Sequence, residues 1–153
     1  MNRQIIKPVY VLSLIVLASC ASRGPAEIHY GQDQCDYCKM TIADEKFGSE
    51  LVTSKGKIYK FDSIECLAAY THVNSNENAL VNSMWVTDFN SAGTFIRVDS
   101  ATIIFSEQQN SPMGVGLMAI SSSSQTVDFI NEKGGRILNW FETCELVAKA
   151  WKL

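Results

Sequence analysis

The sequence of 153 residues predicts an α+β fold in which two small ββαβ units precede a C-terminal helix. The first observation is that the order strand, strand, helix, strand is found twice along the chain. The second is that the final residues carry apolar side chains at helical spacing. The third is composition, since 46% hydrophobic and 19% charged residues are typical of a globular protein.

The N-terminal residues have the features of an export signal. Arg3 and Lys7 form a short basic region, and the run 9–18 that follows is mostly apolar. Such a run is too short to cross a bilayer as a helix. It ends in Leu-Ala-Ser-Cys at 17–20, which resembles a bacterial lipobox. We therefore expect cleavage before Cys20 and attachment of lipid to its thiol.

These patterns divide the chain into four segments. We expect a lipoprotein signal peptide at 1–19, the lipidated cysteine and a tether at 20–34, the first ββαβ unit at 35–90, and a linker, the second unit and the C-terminal helix at 91–153. The net charge of −3 becomes more negative once the basic signal is removed. A chain of this charge lacks a basic face for phosphates, so we expect no nucleic-acid partner.

The first unit is predicted to open with a β-hairpin. Residues 49–53 and 57–61 are strand-like runs with a glycine-containing connection between them. Asp62 followed by Glu65 predicts a capping box at the start of a helix. After a polar loop, residues 84–87 are expected to form the last strand of this unit.

The second unit repeats this outline after a hydrophilic linker at 90–100. Two strands, a helix and a short strand are expected at 102–105, 116–120, 127–131 and 136–138. A final helix is predicted to start near Asn139, with Glu142 completing a capping box. Its apolar face is predicted to contain Phe141, Cys144, Ala148 and Trp151.

Sulfur side chains are the strongest chemical signal in the sequence. Cys66 and Cys144 lie in helical patterns beside apolar residues, where free cysteine behaves as a small hydrophobe, so we expect both in the core. Cys35 and Cys38 lie instead in the polar segment Cys-Asp-Tyr-Cys-Lys-Met, which ends at Met40. This segment places three sulfur atoms within six residues.

A Cys-x-x-Cys pair serves as half of a zinc site, as a redox dithiol or as a clamp for a soft metal. Zinc sites usually have a second pair, which this sequence lacks. A thioredoxin-like dithiol follows a buried strand and opens a helix, and neither flank has that pattern. Copper(I) prefers thiolate and thioether sulfur, so Cys35, Cys38 and Met40 favour a copper(I) site. A thiol oxidoreductase, or a structural disulfide from Cys35 to Cys38 or Cys66, is an alternative.

The second unit offers one further sulfur candidate. Met113 lies in Ser-Pro-Met-Gly, between a rigid and a flexible residue. An exposed methionine in such a turn is unusual for a residue that only packs in a core. We therefore consider Met113 as a fourth candidate ligand.

Four motifs taken in order resemble the NosL family over nearly all of the chain after the signal. They are Cys-Asp-Tyr-Cys-Lys-Met, Lys-Phe-Asp-Ser-Ile-Glu-Cys-Leu, Ser-Pro-Met-Gly and Gly-Gly-Arg-Ile-Leu. The resemblance implies a non-enzymatic, lipid-anchored periplasmic copper(I) chaperone. Such a protein would deliver copper for the copper-sulfide centre of nitrous oxide reductase, together with an ABC-type membrane complex. It also implies ββαβ units similar to organomercurial lyase.

Residue by residue, the resemblance implies copper ligands at Cys35, Cys38, Met40 and Met113, with or without a nitrogen ligand. Lys39 stands where the family usually has glycine, and a positive φ is unfavourable for lysine. Its cation is also expected to lower the pKa of neighbouring thiols. The residue after Cys20 is alanine rather than aspartate, which favours the outer membrane for the lipid anchor.

Overall fold

Two antiparallel sheets and three α-helices make up residues 24–121 and 123–153, the part of the chain that a computed structural model describes. The predicted signal peptide at 1–19 and the predicted lipidation site Cys20 lie outside these residues. In chain order the elements are β1 (Ser49–Thr53), β2 (Ile58–Phe61), α1 (Ile64–Val73), a 3-10 helix (Ser75–Leu80), β3 (Val81–Thr87), β4 (Phe95–Arg97), β5 (Thr102–Phe105), β6 (Leu117–Ile120), α2 (Ser123–Lys133), β7 (Arg136–Leu138) and α3 (Trp140–Trp151).

The two sheets have the same internal order, which confirms the predicted α+β fold with two ββαβ units. In the first sheet the order is β2-β1-β3-β4, and in the second it is β6-β5-β7. The first strand of each unit therefore lies between its second and third strands, and every ladder is antiparallel. A parallel bridge between Asp88 and Ala119 connects the two sheets.

The larger of two hydrophobic clusters in the described residues spans both units. The first unit contributes buried side chains from β1, β2, α1 and β3, and the second unit contributes side chains from β5, β6, β7 and α3. Representative members are Leu51, Phe61, Leu67, Val86, Ile103, Leu117, Leu138 and Val147. Because apolar burial is the main stabilising term, the shared core holds the two units in contact.

One strand was not predicted. Residues 95–97 form β4 within the predicted linker at 90–100, and β4 pairs with β3 at the sheet edge. Three residues are too few to show the alternation of a strand among polar neighbours. The guanidinium of Arg97 lies 5.7 Å from the Trp85 ring centroid across this ladder, a cation–π contact between the paired strands.

The two predicted capping boxes have opposite outcomes. At α3, the Glu142 N–H donates to Asn139 Oδ1 (2.9 Å) and the Asn139 N–H donates to Glu142 Oε2 (2.8 Å), which confirms the box. At α1 the prediction is wrong, because Ser63 is the N-cap and its side chain makes no capping hydrogen bond. Glu65 is fully buried and turns toward the second unit, so it is not available to cap the helix.

The buried face of α3 includes two residues that were not predicted and excludes one that was. Thr143 and Val147 are fully buried, and Cys144 and Trp151 are half-buried. Phe141, predicted on this face, is 69% exposed. The helix rotates by about 100° per residue, so packing of the adjacent Trp140 against the core turns Phe141 to solvent.

The second half of the predicted tether contacts the first sheet. The Ala26 N–H donates to Glu50 Oε2 (2.8 Å), and Lys60 Nζ donates to the Glu27 carbonyl (2.5 Å). Ile28 is 5% exposed and belongs to the core. The Lys60 ammonium also pairs with Asp33 Oδ2 at 2.6 Å. From Ala26 onward the chain is thus packed against β1 and β2.

We expect stability to depend on pH through Glu50. This side chain is fully buried, and its Oε1 has no hydrogen-bond partner among the described residues. Burial raises the pKa of Glu50 from 4.5 to about 7. The folded state therefore holds the proton more tightly than the unfolded state, and stability falls as pH rises from about 4.5 to above 7. A shift of this size corresponds to about 3 kcal/mol.

Chemical denaturation of wild type and Glu50→Gln between pH 4 and 9 measures the pH-dependent contribution of Glu50 to the free energy of unfolding. The amide cannot ionise, so the variant should gain stability relative to wild type as pH rises through this window. Glu45→Gln, at an exposed position on the same segment, is the matched control and should follow wild type. A constant difference between wild type and Glu50→Gln across pH would show that folding does not shift the pKa of Glu50.

Candidate metal centre

Cys35 and Cys38 lie in a tight turn that precedes β1. The Cys35 N–H donates to the Met40 carbonyl at 2.8 Å, and the Lys39 N–H donates to the Cys35 carbonyl at 3.1 Å. These two bonds close the segment on itself. The cysteine pair is therefore held by backbone geometry and not by a helix.

Asp36 attaches this turn to the first sheet. Its N–H donates to the Lys60 carbonyl at 2.8 Å, and its Oδ2 accepts from the Lys60 N–H, also at 2.8 Å. These two hydrogen bonds join Asp36 to the edge of β2. The turn is thus fixed against the strand that leads directly into α1.

Helix α1 brings a third thiol to the pair. Cys66 lies in the first turn of α1, and the sulfur atoms of Cys35, Cys38 and Cys66 all lie within 4.8 Å of one another. We call these three residues the cysteine triad. Cys35 and Cys66 are fully buried, whereas Cys38 is half-buried. One member of the triad is therefore accessible from solvent.

The three thiols of the triad differ in pKa. The Cys66 thiol donates a hydrogen bond to Cys35, and this bond lowers the pKa of Cys35 to about 5 against the opposing effect of burial. The backbone N–H groups of Asp62, Cys38 and Tyr37 add to the lowering. The same hydrogen bond raises the pKa of Cys66, and burial raises that of Cys38. Cys35 is therefore the member of the triad whose thiol ionises most readily.

Three sulfur atoms at this separation suit a soft metal ion. Thiolate ligands select copper(I) and related soft ions over hard divalent cations. The N-terminal end of α1 also favours the negative charge that the triad carries, because the helix dipole is positive there. A metal that binds all three sulfur atoms as thiolates would displace the protons that the triad still holds.

The two methionines lie at the junction of the units. Met40 is 55% exposed and lines a cavity of about 370 Å3 together with Ser111 and Pro112 of the second unit. Met113 is half-buried and packs against the hydrophobic cluster that contains Cys35 and Cys66. The structure thus places Met40 on the rim of this cavity and Met113 against the core beside it.

Cys66 is the residue that sequence reasoning assigned only to the core. It is buried as predicted, and its sulfur also completes the triad. The signal that indicates a second role is its place at the start of a predicted helix, where the helix dipole favours negative charge on nearby groups. Cys144, by contrast, lies outside the triad, with its sulfur 3.7 Å from Thr71 Oγ1.

Lys39 adopts the left-handed backbone that its side chain disfavours. Its φ is +66°, and its ammonium donates to the Asp36 carbonyl at 2.5 Å. The sequence argument against a positive φ here is therefore wrong, because the two backbone bonds that close the turn impose it. The pKa of Cys35 is lowered, but by the Cys66 hydrogen bond and backbone N–H groups and not by the Lys39 cation, and burial raises the pKa of the adjacent Cys38.

We expect Lys39→Gly to stabilise the protein by about 1 kcal/mol, because glycine adopts a positive φ without the steric penalty of a Cβ. Lys39→Ala is the matched control, since it removes the ammonium but keeps the strained Cβ. Urea denaturation should show a gain for the glycine variant only. Equal gains in both variants would assign the effect to loss of the ammonium.

The helices of the described region give no candidate for a membrane span, since none is long and apolar enough to cross a bilayer.

Comparisons with known proteins agree with the fold and with the motifs. A family model, that of NosL, matches residues 25–145. Among solved structures, the chain is similar to the crystal structure of the copper chaperone NosL from Shewanella denitrificans, with 21% identity and a TM-score of 0.67 over 78% of this chain and 95% of that chain. No match was found among curated protein sequences. Because the family model covers well over half of the sequence, the chain belongs to the NosL family.

Proposed function

We propose that this protein is a copper(I) chaperone and not an enzyme. The observation that carries the proposal is the cysteine triad, whose three sulfur atoms lie within 4.8 Å of one another. Membership of the NosL family and the likeness to a structure described as a copper chaperone support the same conclusion. Copper is the cargo of the protein, and the triad holds it between uptake and delivery.

The choice of copper(I) follows from the ligands. Copper(I) accepts two or three soft ligands, whereas a structural zinc site is closed by four. Cys35 and Cys66 are fully buried, so the metal would be shielded on their side. Cys38 is half-buried, so an incoming ligand from an acceptor would reach the metal from that side. Delivery would then proceed by exchange of sulfur ligands, one at a time.

The site proposed from the sequence comprised Cys35, Cys38, Met40 and Met113. We retain these four residues in the proposal and add Cys66, because its sulfur lies against the cysteine pair. The methionines would contribute thioether sulfur from the rim of the cavity and from the second unit. Thioethers bind copper(I) without a proton change, so they can assist transfer at any pH.

We further propose that the protein is anchored by lipid at Cys20 to the periplasmic face of the outer membrane. Its client would be nitrous oxide reductase, reached together with an ABC-type membrane complex. The lipobox-like sequence before Cys20 supports the anchor, and the NosL family supports the client. Membrane fractionation of wild type and Cys20→Ala, and the copper content of the reductase in a deletion strain, test these two steps.

Anaerobic titration with copper(I) against a chromophoric chelator tests the proposed site. Wild type should remove one copper(I) per protein from the chelator. The Cys35→Ser, Cys38→Ser double variant should fail to compete, since it loses two thiolates, whereas Cys144→Ser should behave as wild type. Undiminished competition by the double variant would overturn the site.

A thiol oxidoreductase is the alternative function, and the lowered pKa of Cys35 favours it. Burial argues against it, because Cys35 is fully buried and a redox thiolate must reach a substrate disulfide. We expect no catalysis of insulin reduction. Turnover that is lost in Cys35→Ser would establish the alternative.

A further inference from the structure

Glu65 is a fully buried carboxyl group whose described hydrogen bonds all lead to the second unit. Its Oε1 accepts from the Ser111 hydroxyl and from the Leu117 N–H at 3.4 Å. Its Oε2 has no hydrogen-bond partner among the described residues. A buried carboxyl group with an unpaired oxygen is unfavourable for stability alone. Its place beside Cys66 in the first turn of α1 therefore calls for a role at the triad.

Ser111 connects this carboxyl group to residues 111–114, which we call the methionine turn. The Gly114 N–H donates to the Ser111 carbonyl at 3.0 Å and closes the turn around Pro112 and Met113. The Gly116 N–H donates to Ser111 Oγ at 2.9 Å. Ser111 thus holds both the turn and the segment that follows it. Its own hydroxyl group donates a hydrogen bond to Glu65.

The methionine turn lies at the junction of the two units and is bonded to the start of α1, the helix that carries Cys66. Met113 packs against the hydrophobic cluster that the two units share. Pro112 and Ser111 line the cavity that has Met40 on its other wall. The bond from Ser111 to Glu65 is therefore a direct polar connection between the Met113 turn and the helix turn that carries Cys66.

We propose that Glu65 is a positioning residue that holds the methionine turn against the start of α1, so that the Met113 thioether serves the copper carried by the cysteine triad. This inference rests on the proposed copper function. Glu65 acts through Ser111 and does not itself bind the metal. The second unit thereby supplies a sulfur ligand whose position is controlled by the first.

Copper(I) competition on the full mature chain tests the proposal with three variants. Ser111→Ala removes the donor and Glu65→Leu removes the acceptor without adding a sulfur atom, and each should weaken binding by about tenfold. Glu65→Gln keeps an acceptor oxygen and should stay within about threefold of wild type. Glu107→Gln, an exposed site in the same connection, is the matched control and should be unchanged.

Repeating Ser111→Ala in a Met113→Leu background separates positioning from general destabilisation. If Glu65 acts through Met113, the serine variant should cause no further loss there. An equal loss in both backgrounds, or no loss in either, would overturn this inference while leaving copper binding by the triad intact. Failure of wild type to bind copper(I) would overturn the proposed function and, with it, this inference.

Methyl spectra of the apoprotein add a readout that needs no copper. With 13C-methyl methionine, Ser111→Ala should shift the Met113 signal and leave that of Met118, which is 1% exposed in β6, in place. An unmoved Met113 signal would contradict the role of Ser111 in holding the turn.

Discussion

Cys66→Ser is expected to weaken copper(I) binding by about 100-fold or more. The change removes one of three sulfur atoms that lie within 4.8 Å of one another and offers a hydroxyl group, a poor ligand for a soft ion. Serine is nearly isosteric with cysteine, so the fully buried site should keep its packing. Anaerobic competition with a chelator measures the affinity directly.

Cys144→Ser is the matched control for this prediction. Cys144 is also a helical, largely buried cysteine, but its sulfur contacts Thr71 Oγ1 and lies outside the triad. Its replacement should leave copper(I) affinity unchanged. If Cys66→Ser binds as tightly as wild type, Cys66 serves only core packing and the metal site must be sought at the cysteine pair and the methionines.

Local sequence signals predicted the elements whose identity depends on near neighbours. The bounds of β1 and β7 match the predicted 49–53 and 136–138, because a strand bounded by glycine or a turn shows its ends in the sequence. The capping box at Asn139 is correct for the same reason, since all of its partners lie within one helical turn. Strand ends and helix caps that depend on residues close in sequence can therefore be predicted without a structure.

Features that depend on distant partners were predicted poorly. β4 exists because β3 offers an open edge, which its own three residues do not indicate. Glu65 has the spacing of a capping residue, but burial at the junction gives it Ser111 as a partner instead. In both cases a tertiary contact overrides a valid local pattern.

The candidate site likewise contains residues that the local sequence indicates and one residue that only the fold brings into place. Cys35 and Cys38 are close in sequence, so their spacing, the nearby Met40 and the lack of a second pair favoured a soft-metal site. Cys66 joins them only because Asp36 fixes their turn to β2, the strand that leads into α1. The cysteine pair could thus be predicted from the local sequence. The third sulfur could not, because only the fold brings Cys66 to the pair.

Gly116→Ala is expected to destabilise the fold by about 3 kcal/mol, the largest stability loss that we predict for a single added methyl group. Gly116 has a φ of +91°, and a Cβ there would lie 2.3 Å from the Ser106 carbonyl oxygen. That contact is with backbone, which is fixed by the hydrogen bond from the Ser106 N–H to the Gly116 carbonyl at 3.0 Å. Neither side can move away without breaking this bond.

Gly114→Ala separates the clash from the backbone conformation. Gly114 also has a positive φ, +77°, but no atom lies within 4 Å of a Cβ built there. We therefore expect a loss of about 1 kcal/mol from φ alone. Equal losses for both variants in urea denaturation would show that the Ser106 contact relaxes freely. Since the Gly116 N–H also supports Ser111, the larger loss should be accompanied by release of the methionine turn and weaker copper(I) binding.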